Sequence, residues 1–307
     1  MKPQFKEKFL ERMRKLLGDE LEVFLEICEK YLPTTIRVNT LKIRKEDLVE
    51  RLSQRYKVKE LEWYEDGLII EDGFSLGNTI EHALGYFYVQ EAASMIPPLV
   101  LKPRKGDFVL DLCAAPGSKT TQIAQLMKNT GLIIANDVRI DRIKALTTNL
   151  QRCGVSNCVV TMMNGNAFRN VNLEFDKVLV DAPCSAEGAI RKNYNVLRMW
   201  NLRMIKGLSR LQKKLVETGF MRLKEGGRLV YSTCTLAPEE NEEVVDFLLR
   251  KYENAEVEKV SLRGLRLRKG VEEWEGKKFS SEVRRCVRIY PQDNDTEGFF
   301  IASIVKR

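Results

Sequence analysis

The sequence predicts an α/β protein: a mostly parallel sheet with an antiparallel closing strand, preceded by a small amino-terminal α+β module. Three observations carry this. From Gly106 onward, short apolar runs alternate with amphipathic helical stretches, as they do when parallel strands are joined by crossover helices. A small-residue loop, Asp111-Leu112-Cys113-Ala114-Ala115-Pro116-Gly117-Ser118-Lys119-Thr120, follows the first of these strands and opens a helix. Two further strands end on cysteine motifs, Asp181-Ala182-Pro183-Cys184-Ser185 and Tyr231-Ser232-Thr233-Cys234-Thr235, and strand ends are where open α/β sheets carry their chemistry.

In chain order, Phe5, Phe9, Met13, Leu16 and Leu17, then Val23, Phe24 and Ile27, recur at helical spacing on either side of Gly18-Asp19, so two helices are expected over 5–31. Residues 36–41 alternate like a half-buried strand. A helix is expected near 45–54 and strands near 61–63 and 68–70. The stretch 85–101 reads as aromatic, then helical, and stops at Pro97-Pro98, because proline removes a donor. The boundary is set near residue 80, giving units 1–80 and 81–307. In the second unit, strands are expected at 108–112, 132–136, 159–163, 177–180 and 228–232, with helices at 119–127, 141–152 and 204–223. Another helix opens after Pro238 with Glu239, Glu240, Glu242 and Glu243 in its first turn, matching the helix dipole. Residues 287–290 and 299–305 read as a closing hairpin. No internal repeat or low-complexity segment is evident.

At 307 residues the chain can bury one large core and a smaller one. It carries 51 Lys+Arg against 43 Asp+Glu, a net +8, and residues 259–290 alone hold ten basic and four acidic side chains. That imbalance suggests a polyanion-facing surface, nucleic acid ahead of a merely well-solvated, heat-adapted face. Seven cysteines without regular spacing argue against a disulfide framework and for a reducing, cytoplasmic setting. No Cys-x-x-Cys occurs, Cys153 and Cys158 lack a second pair, and His82 is the sole histidine, so no metal site is expected. A Ser/His/Asp triad would have to use His82 as its base. No apolar stretch approaches the ~20 residues of a membrane span, and the polar start Met1-Lys2-Pro3-Gln4 lacks a signal-peptide apolar region.

The loop at 111–120 is neither standard nucleotide motif: Gly117 alone is present of G-x-G-x-x-G, and Ser118 occupies the second-glycine position of a P-loop. The next strand ends at Asn136-Asp137, where a carboxylate can accept both hydroxyls of a ribose, and the third at Asn164-Gly165-Asn166, where an amide can read an adenine edge. Either residue alone could cap its turn. Their succession after a small-residue loop fits an adenosine-containing cofactor without a pyrophosphate, such as S-adenosylmethionine. The cysteines, fifty positions apart, can face one cleft if their strands are neighbours, and that geometry suits covalent catalysis.

With these motifs in hand, the chain closely resembles the RNA cytosine carbon-5 methyltransferases: the bacterial rRNA, eukaryotic nucleolar and tRNA enzymes of one superfamily. The resemblance includes Arg37-Val38-Asn39-Thr40-Leu41-Lys42, Gln90-Glu91-Ala92-Ala93-Ser94-Met95, the 111–120 loop, both cysteine motifs and Glu239-Glu240-Asn241-Glu242, and the compact form looks most like the archaeal tRNA enzymes. It implies a Rossmann-like S-adenosylmethionine-dependent methyltransferase fold behind an RNA-recognition module. Carbon 5 of cytosine is a poor nucleophile, so a thiolate must first add to carbon 6. By resemblance Cys234 is that nucleophile and Cys184 resolves the adduct. Asp181 would contact the base near ring nitrogen 3, through a raised pKa or a relayed proton. Pro183 would stiffen its loop, and Lys119 would hold Asp181 or lower a neighbouring pKa. Cofactor contacts fall on Cys113, Ala114, Ala115, Pro116, Gly117, Ser118, Lys119, Asp137, Arg142 and Asp181, with Asn166 where many relatives have aspartate. The implied partner is structured RNA, tRNA ahead of rRNA, with the target base leaving its stack. A monomer is expected, its specificity open to sharpening by a helper protein. Arg37, the 263–269 run, Arg284, Arg285 and Arg288 are assigned to phosphates; Phe87 and Tyr88 either stack on bases or fill core. DNA methylation fits less well, since the DNA enzymes place their nucleophile in the Pro-Cys loop. The remaining alternative is a non-catalytic RNA-binding factor on the same fold.

Overall fold

Two amphipathic helices open the described chain, which in this computed structural model comprises residues 3–71 and 75–307; Met1 and Lys2 of the polar start lie outside it. α1 (Glu7–Leu17) ends where Gly18 adopts a φ of 58°, and α2 (Leu21–Glu29) follows. Their apolar stripe, with Phe9, Met13, Leu21 and Phe24, packs on Ile190, Leu197, Trp200, Leu236 and Tyr290 from far along the chain.

A four-stranded antiparallel sheet comes next, built from β1 (Thr34–Val38), β2 (Lys57–Leu61), β3 (Tyr64–Glu71) and β4 (Phe87–Val89) in the order β2-β3-β1-β4. With α3 (Lys45–Ser53) it closes a core of Ile36, Val38, Leu48, Leu52, Leu68, Ile70 and Phe87. α4 (Ile80–Ala83) leads into β4. The strand expected at 61–63 starts instead at Lys57, with Trp63 in the following turn. β2 is an edge strand whose Lys57, Lys59 and Glu60 face solvent, so its apolar signal is weak.

α5 (Ile96–Leu101) carries Pro97 and Pro98 in its first turn. The expectation that these prolines stop a helix is corrected: they start one, because the first-turn N–H groups have no intrahelical partner to lose.

The second unit is a nine-stranded sheet. Its parallel centre comprises β5 (Phe108–Asp111), β6 (Leu132–Asp137), β7 (Cys158–Met162), β8 (Phe175–Asp181) and β9 (Leu223–Thr233), in the order β9-β8-β5-β6-β7. Helices α6 (Ser118–Leu126), α7 (Ile140–Cys153), α8 (Asn195–Met199), α9 (Leu202–Met221) and α10 (Glu242–Lys251) connect or follow these strands. Beyond them come β10 (Ala255–Glu258), β11 (Arg268–Lys269), a separate hairpin of β12 (Glu273–Trp274) and β13 (Lys277–Lys278), β14 (Val287–Ile289), α11 (Pro291–Asn294) and β15 (Phe299–Lys306). β15 runs antiparallel to β9 and closes the sheet, with β14 and β10 along its other side.

Strand residues of alternating parity face opposite layers. Leu110, Val178 and Leu229 pack with Val216 and Phe220 of α9 and Val244 and Leu248 of α10, whereas Val109, Leu179 and Val230 pack with Val100 of α5 and Ile123 of α6. A sheet covered on both faces can be approached only at its ends, and the strand order reverses at β5, opening a crevice at the carboxyl ends. Register then decides what meets there. Asp181 pairs with Ser232 and Phe300 with Thr233, so residues just past β8, just past β9 and just before β15 converge. Among the described residues no helix is long and apolar enough to cross a membrane, and no group of three or more His, Cys, Asp or Glu could hold a metal ion.

Candidate active site

The crevice is a cleft of ≈ 390 Å³. One wall is the loop after β5. Gly117, at φ 104°, caps α6 in a conformation that a side chain would strain, and a Cβ there would lie 3.0 Å from Leu146. Cys113, Ala114, Ala115, Pro116, Ser118 and Lys119 line the cleft, as do Arg142 and Asp181. Asp111 lies beneath the loop, taking a hydrogen bond from Thr120 Oγ1 on Oδ2 (2.7 Å) while buried Oδ1 has no partner. Burial pushes its carboxyl up to about 7. Burial likewise pushes the Cys113 thiol up.

The neighbouring strand tips are tied together by Asn136, whose amide donates to the Leu112 and Met163 carbonyls (3.2 and 3.0 Å). Asp137 is buried: Oδ1 accepts the Arg139 N–H at 3.1 Å, and Oδ2 lies 3.3 Å from Arg142 but takes no hydrogen bond. Arg142 also donates to the Ala115 carbonyl, clamping the first loop to the second strand tip. The Oδ1 of Asn166 is buried without a partner. Gly117, Asp137 and Asn166 do not themselves line the cleft; they stand behind or beside it. Alanines that leave space, together with unpartnered buried oxygens on Asp111 and Asn166 and the ion-paired carboxylate of Asp137 between them, fit an adenosine-bearing molecule with hydroxyl and amino donors.

The opposite wall holds Cys234, with Cys184 against it but outside the cleft lining. Cys184 Sγ and Cys234 Sγ are 3.2 Å apart. The contact with Cys234, then burial, push the Cys184 thiol well above its ordinary value. Two loops meet here because their backbones are laced. Ser185 N–H and the Gln212 amide both donate to Glu240 Oε2 (3.0 and 2.8 Å), Gln212 also donates to the Pro183 carbonyl, and Ser185 and Thr235 share a hydroxyl hydrogen bond of 2.7 Å. Gly188 N–H donates to the Cys234 carbonyl and Gly298 N–H to the Gly188 carbonyl, both at 2.9 Å.

Between the walls, Lys119 Nζ sits 2.7 Å from Asp181 Oδ2 and 3.0 Å from Ser94 Oγ, over the Phe299 ring. Lys119 is 5 % exposed. Burial alone would lower its pKa, but the pairing with Asp181 outweighs it and the net direction is up, so it stays an ammonium. Ser232 Oγ donates to the other Asp181 oxygen at 2.8 Å.

Sequence reasoning did not assign roles to Glu91, Ser94, Lys192, Glu297 or Phe299, which also line the cleft. Glu91 accepts the N–H groups of Glu297 and Ser94 (2.9 and 3.1 Å), and burial with the Glu91 charge pushes Glu297 up to about 7. The motif at 90–95 was a signal for the first two. Glu297 and Phe299 had none, since their position depends on β15 pairing with β9.

Three phosphate assignments are corrected: Arg37, Arg288 and Arg268. Arg37 is 1 % exposed and spends its guanidinium on Gln90 (2.9 Å), Gln125 and Thr121 (2.8 Å). Arg288 is equally buried and paired with Glu242. Neither can reach solvent. Arg268 is bound to Glu20 and Asp293, leaving Arg263, Lys269, Arg284 and Arg285 among the exposed basic groups. Phe87 is buried in the amino-terminal core, while buried Tyr88 contributes to the cleft.

A family model described as 16S rRNA methyltransferase RsmB/F matches residues 98–305, and one for the N-terminal domain of 16S rRNA methyltransferase RsmF matches residues 5–92. The chain is 47% identical, over 99% of its length and 98% of the relative's, to a tRNA (cytosine(49)-C(5))-methyltransferase of Pyrococcus abyssi. It is 41% identical to the ribosomal RNA small subunit methyltransferase F of Vibrio atlanticus over 98% of its length, but spans only 63% of that protein. Among solved structures, a methyltransferase homolog protein from Pyrococcus horikoshii superimposes with a TM-score of 0.88 at 38% identity, covering 99% of this chain and 96% of that one. NSun6 from Pyrococcus horikoshii, solved with SFG, gives 0.86 at 26% identity, covering 100% and 99%.

Proposed function

The chain belongs to the RsmB/F methyltransferase family, and on that premise we propose that it transfers a methyl group from S-adenosylmethionine to carbon 5 of a cytosine in tRNA. The observation that carries the mechanism is the pair of sulfurs 3.2 Å apart beside the Lys119–Asp181 ion pair. Cys184 is held as a thiol by its contact with Cys234 and by burial, and Cys234, the sulfur that lines the cleft, attacks once its own proton has passed to solvent. A bond forms from Cys234 to carbon 6 of the base while charge develops toward ring nitrogen 3. Both Asp181 oxygens accept hydrogen bonds, from Lys119 and Ser232, so we assign the proton donated toward ring nitrogen 3 to the Lys119 ammonium, which Asp181 orients. The ion pair supports a relayed proton over a raised carboxyl pKa.

The bound cofactor supplies an electrophilic methyl group, held by residues 113–119, Asp137, Arg142 and Asn166. After transfer, a solvent water takes the carbon-5 proton, the C–H electron pair restores the 5,6 double bond as the bond from carbon 6 to Cys234 breaks, the nitrogen-3 proton returns to Lys119, and Cys184 is placed to hydrogen-bond the departing thiolate. The amino-terminal module and the exposed basic side chains grip the RNA, which releases counterions. We place the protein in the cytoplasm as a monomer, where its seven free cysteines remain reduced.

tRNA is preferred because the chain is 47% identical to the tRNA enzyme against 41% to the rRNA enzyme. Methylation of rRNA is the second reading, favoured by the family model. Bisulfite sequencing of tRNA and rRNA after incubation with S-adenosylmethionine, with Cys234→Ala in parallel, decides. New protected cytosines in tRNA with the unmutated protein alone are expected, with cytosine 49 the first position to inspect. Protection in rRNA only would reverse the preference. Full turnover by Cys234→Ala would overturn the assignment of the nucleophile.

A further inference from the structure

A second hollow, of ≈ 280 Å³, adjoins the cleft and shares Val89, Glu91 and Lys192 with it. Its far wall is Tyr31-Leu32-Pro33, from the segment joining α2 to β1, with Thr34 and Thr35 at the start of β1. The near wall is Arg191-Lys192, a few residues beyond Cys184, so both units contribute. The wall is held in place: Arg191 donates to the Tyr31 carbonyl at 2.8 Å, to Asp295 Oδ1 at 2.7 Å and to the Thr296 carbonyl at 3.1 Å. Arg191 is itself buried, and its Nε has no hydrogen-bond partner. Tyr31 is 64 % exposed, and beside it stand Leu32, Pro33 and exposed Val89. The Lys192 side chain is 65 % exposed and lies 3.6 Å from Glu297. Glu91, the one acid in the hollow, has both oxygens committed to backbone N–H groups.

We infer that this hollow takes the nucleotide next to the target cytosine, with its base stacked on Tyr31 and its phosphate beside Lys192. This rests on the reading of the protein as an enzyme acting on RNA. A cytosine placed against Cys234 must leave its stack, so its neighbour loses a stacking partner one nucleotide step away. An aromatic face with an adjacent cation is what replaces that partner for single-stranded RNA. The shared wall of Val89, Glu91 and Lys192 gives the connecting backbone a continuous path.

The test uses a tRNA carrying 2-aminopurine immediately before or after cytosine 49, whose fluorescence falls on stacking. Binding by the unmutated protein quenches one of the two probes. Tyr31→Ala abolishes that quench and raises KM about 5- to 150-fold with kcat nearly unchanged, whereas Tyr31→Phe retains both. Lys192→Ala lowers the salt slope of binding by roughly 0.7. A quench that survives Tyr31→Ala, or the absence of quench at either position during active methylation, overturns the inference alone. Quench without methylation keeps the subsite and overturns the enzymatic reading.

Discussion

Replacing Lys119 with methionine separates holding Asp181 in place from donating a proton. The substitution keeps the apolar stem and removes an ammonium that makes two hydrogen bonds and lies over Phe299. Breaking a fully buried ion pair costs about 3–5 kcal/mol. The Asp181 side chain is 28 % exposed and keeps its Ser232 bond, so water can reach the orphaned oxygen, and the cost falls to about 1–3 kcal/mol. For a chain of this size that lowers the melting temperature by roughly 1.5–5 °C. Loss of the proton donor should cost far more in rate, about 10²- to 10⁴-fold in kcat, with little change in KM. Single-turnover methylation with tritiated S-adenosylmethionine, alongside thermal unfolding, measures both. Asp181→Asn and the double variant complete a cycle, in which strong non-additivity is expected because the two groups act as one unit. A Lys119→Met enzyme within tenfold of normal kcat, despite its lowered melting temperature, would refute the proton-donor role.

Other consequences can be checked with the same protein. Cys184→Ala should accumulate a protein–RNA adduct that survives a denaturing gel; free release of methylated RNA at the normal rate would remove Cys184 from the resolving step. Asp111 holds its proton to about pH 7 in the folded protein against an ordinary 3.8, so the native state binds more protons across that interval and loses stability as pH rises through it, by up to about 1.4 kcal/mol per pH unit. Asp111→Asn should therefore flatten urea-derived stability between pH 5 and 7; an unchanged slope would contradict the assigned protonation. Arg37→Ala strands Gln90, Gln125 and Thr121 and should destabilise by about 2–4 kcal/mol without altering the salt slope of RNA binding, whereas Arg263→Ala should leave stability alone and reduce that slope by roughly 0.7. The reverse pattern would return Arg37 to the RNA.

The small-residue loop, the two cysteine motifs and the alternation of strand and helix were legible in the sequence because each is local: a loop that must open a helix, a run that must be apolar on both faces. Local signals failed where context reverses their meaning. Pro97 and Pro98 read as a stop and serve as a start, and β2 hid behind exposed charges at a sheet edge. What only the tertiary structure decided is which distant side chains meet. Arg37 and Arg288 carry the same charge as Arg263, yet they are buried against partners 53 and 46 residues away, and no periodicity in the chain marks that pairing. Glu297 and Phe299 reach the cysteines only because Phe300 pairs with Thr233, and the Tyr31 hollow exists only because Arg191 holds a carbonyl 160 residues distant. The sequence alone determined which chemical groups are present and which strand ends offer them. Sheet register and long-range hydrogen bonds, which depend on the whole packed core, decided which of those groups share a cleft.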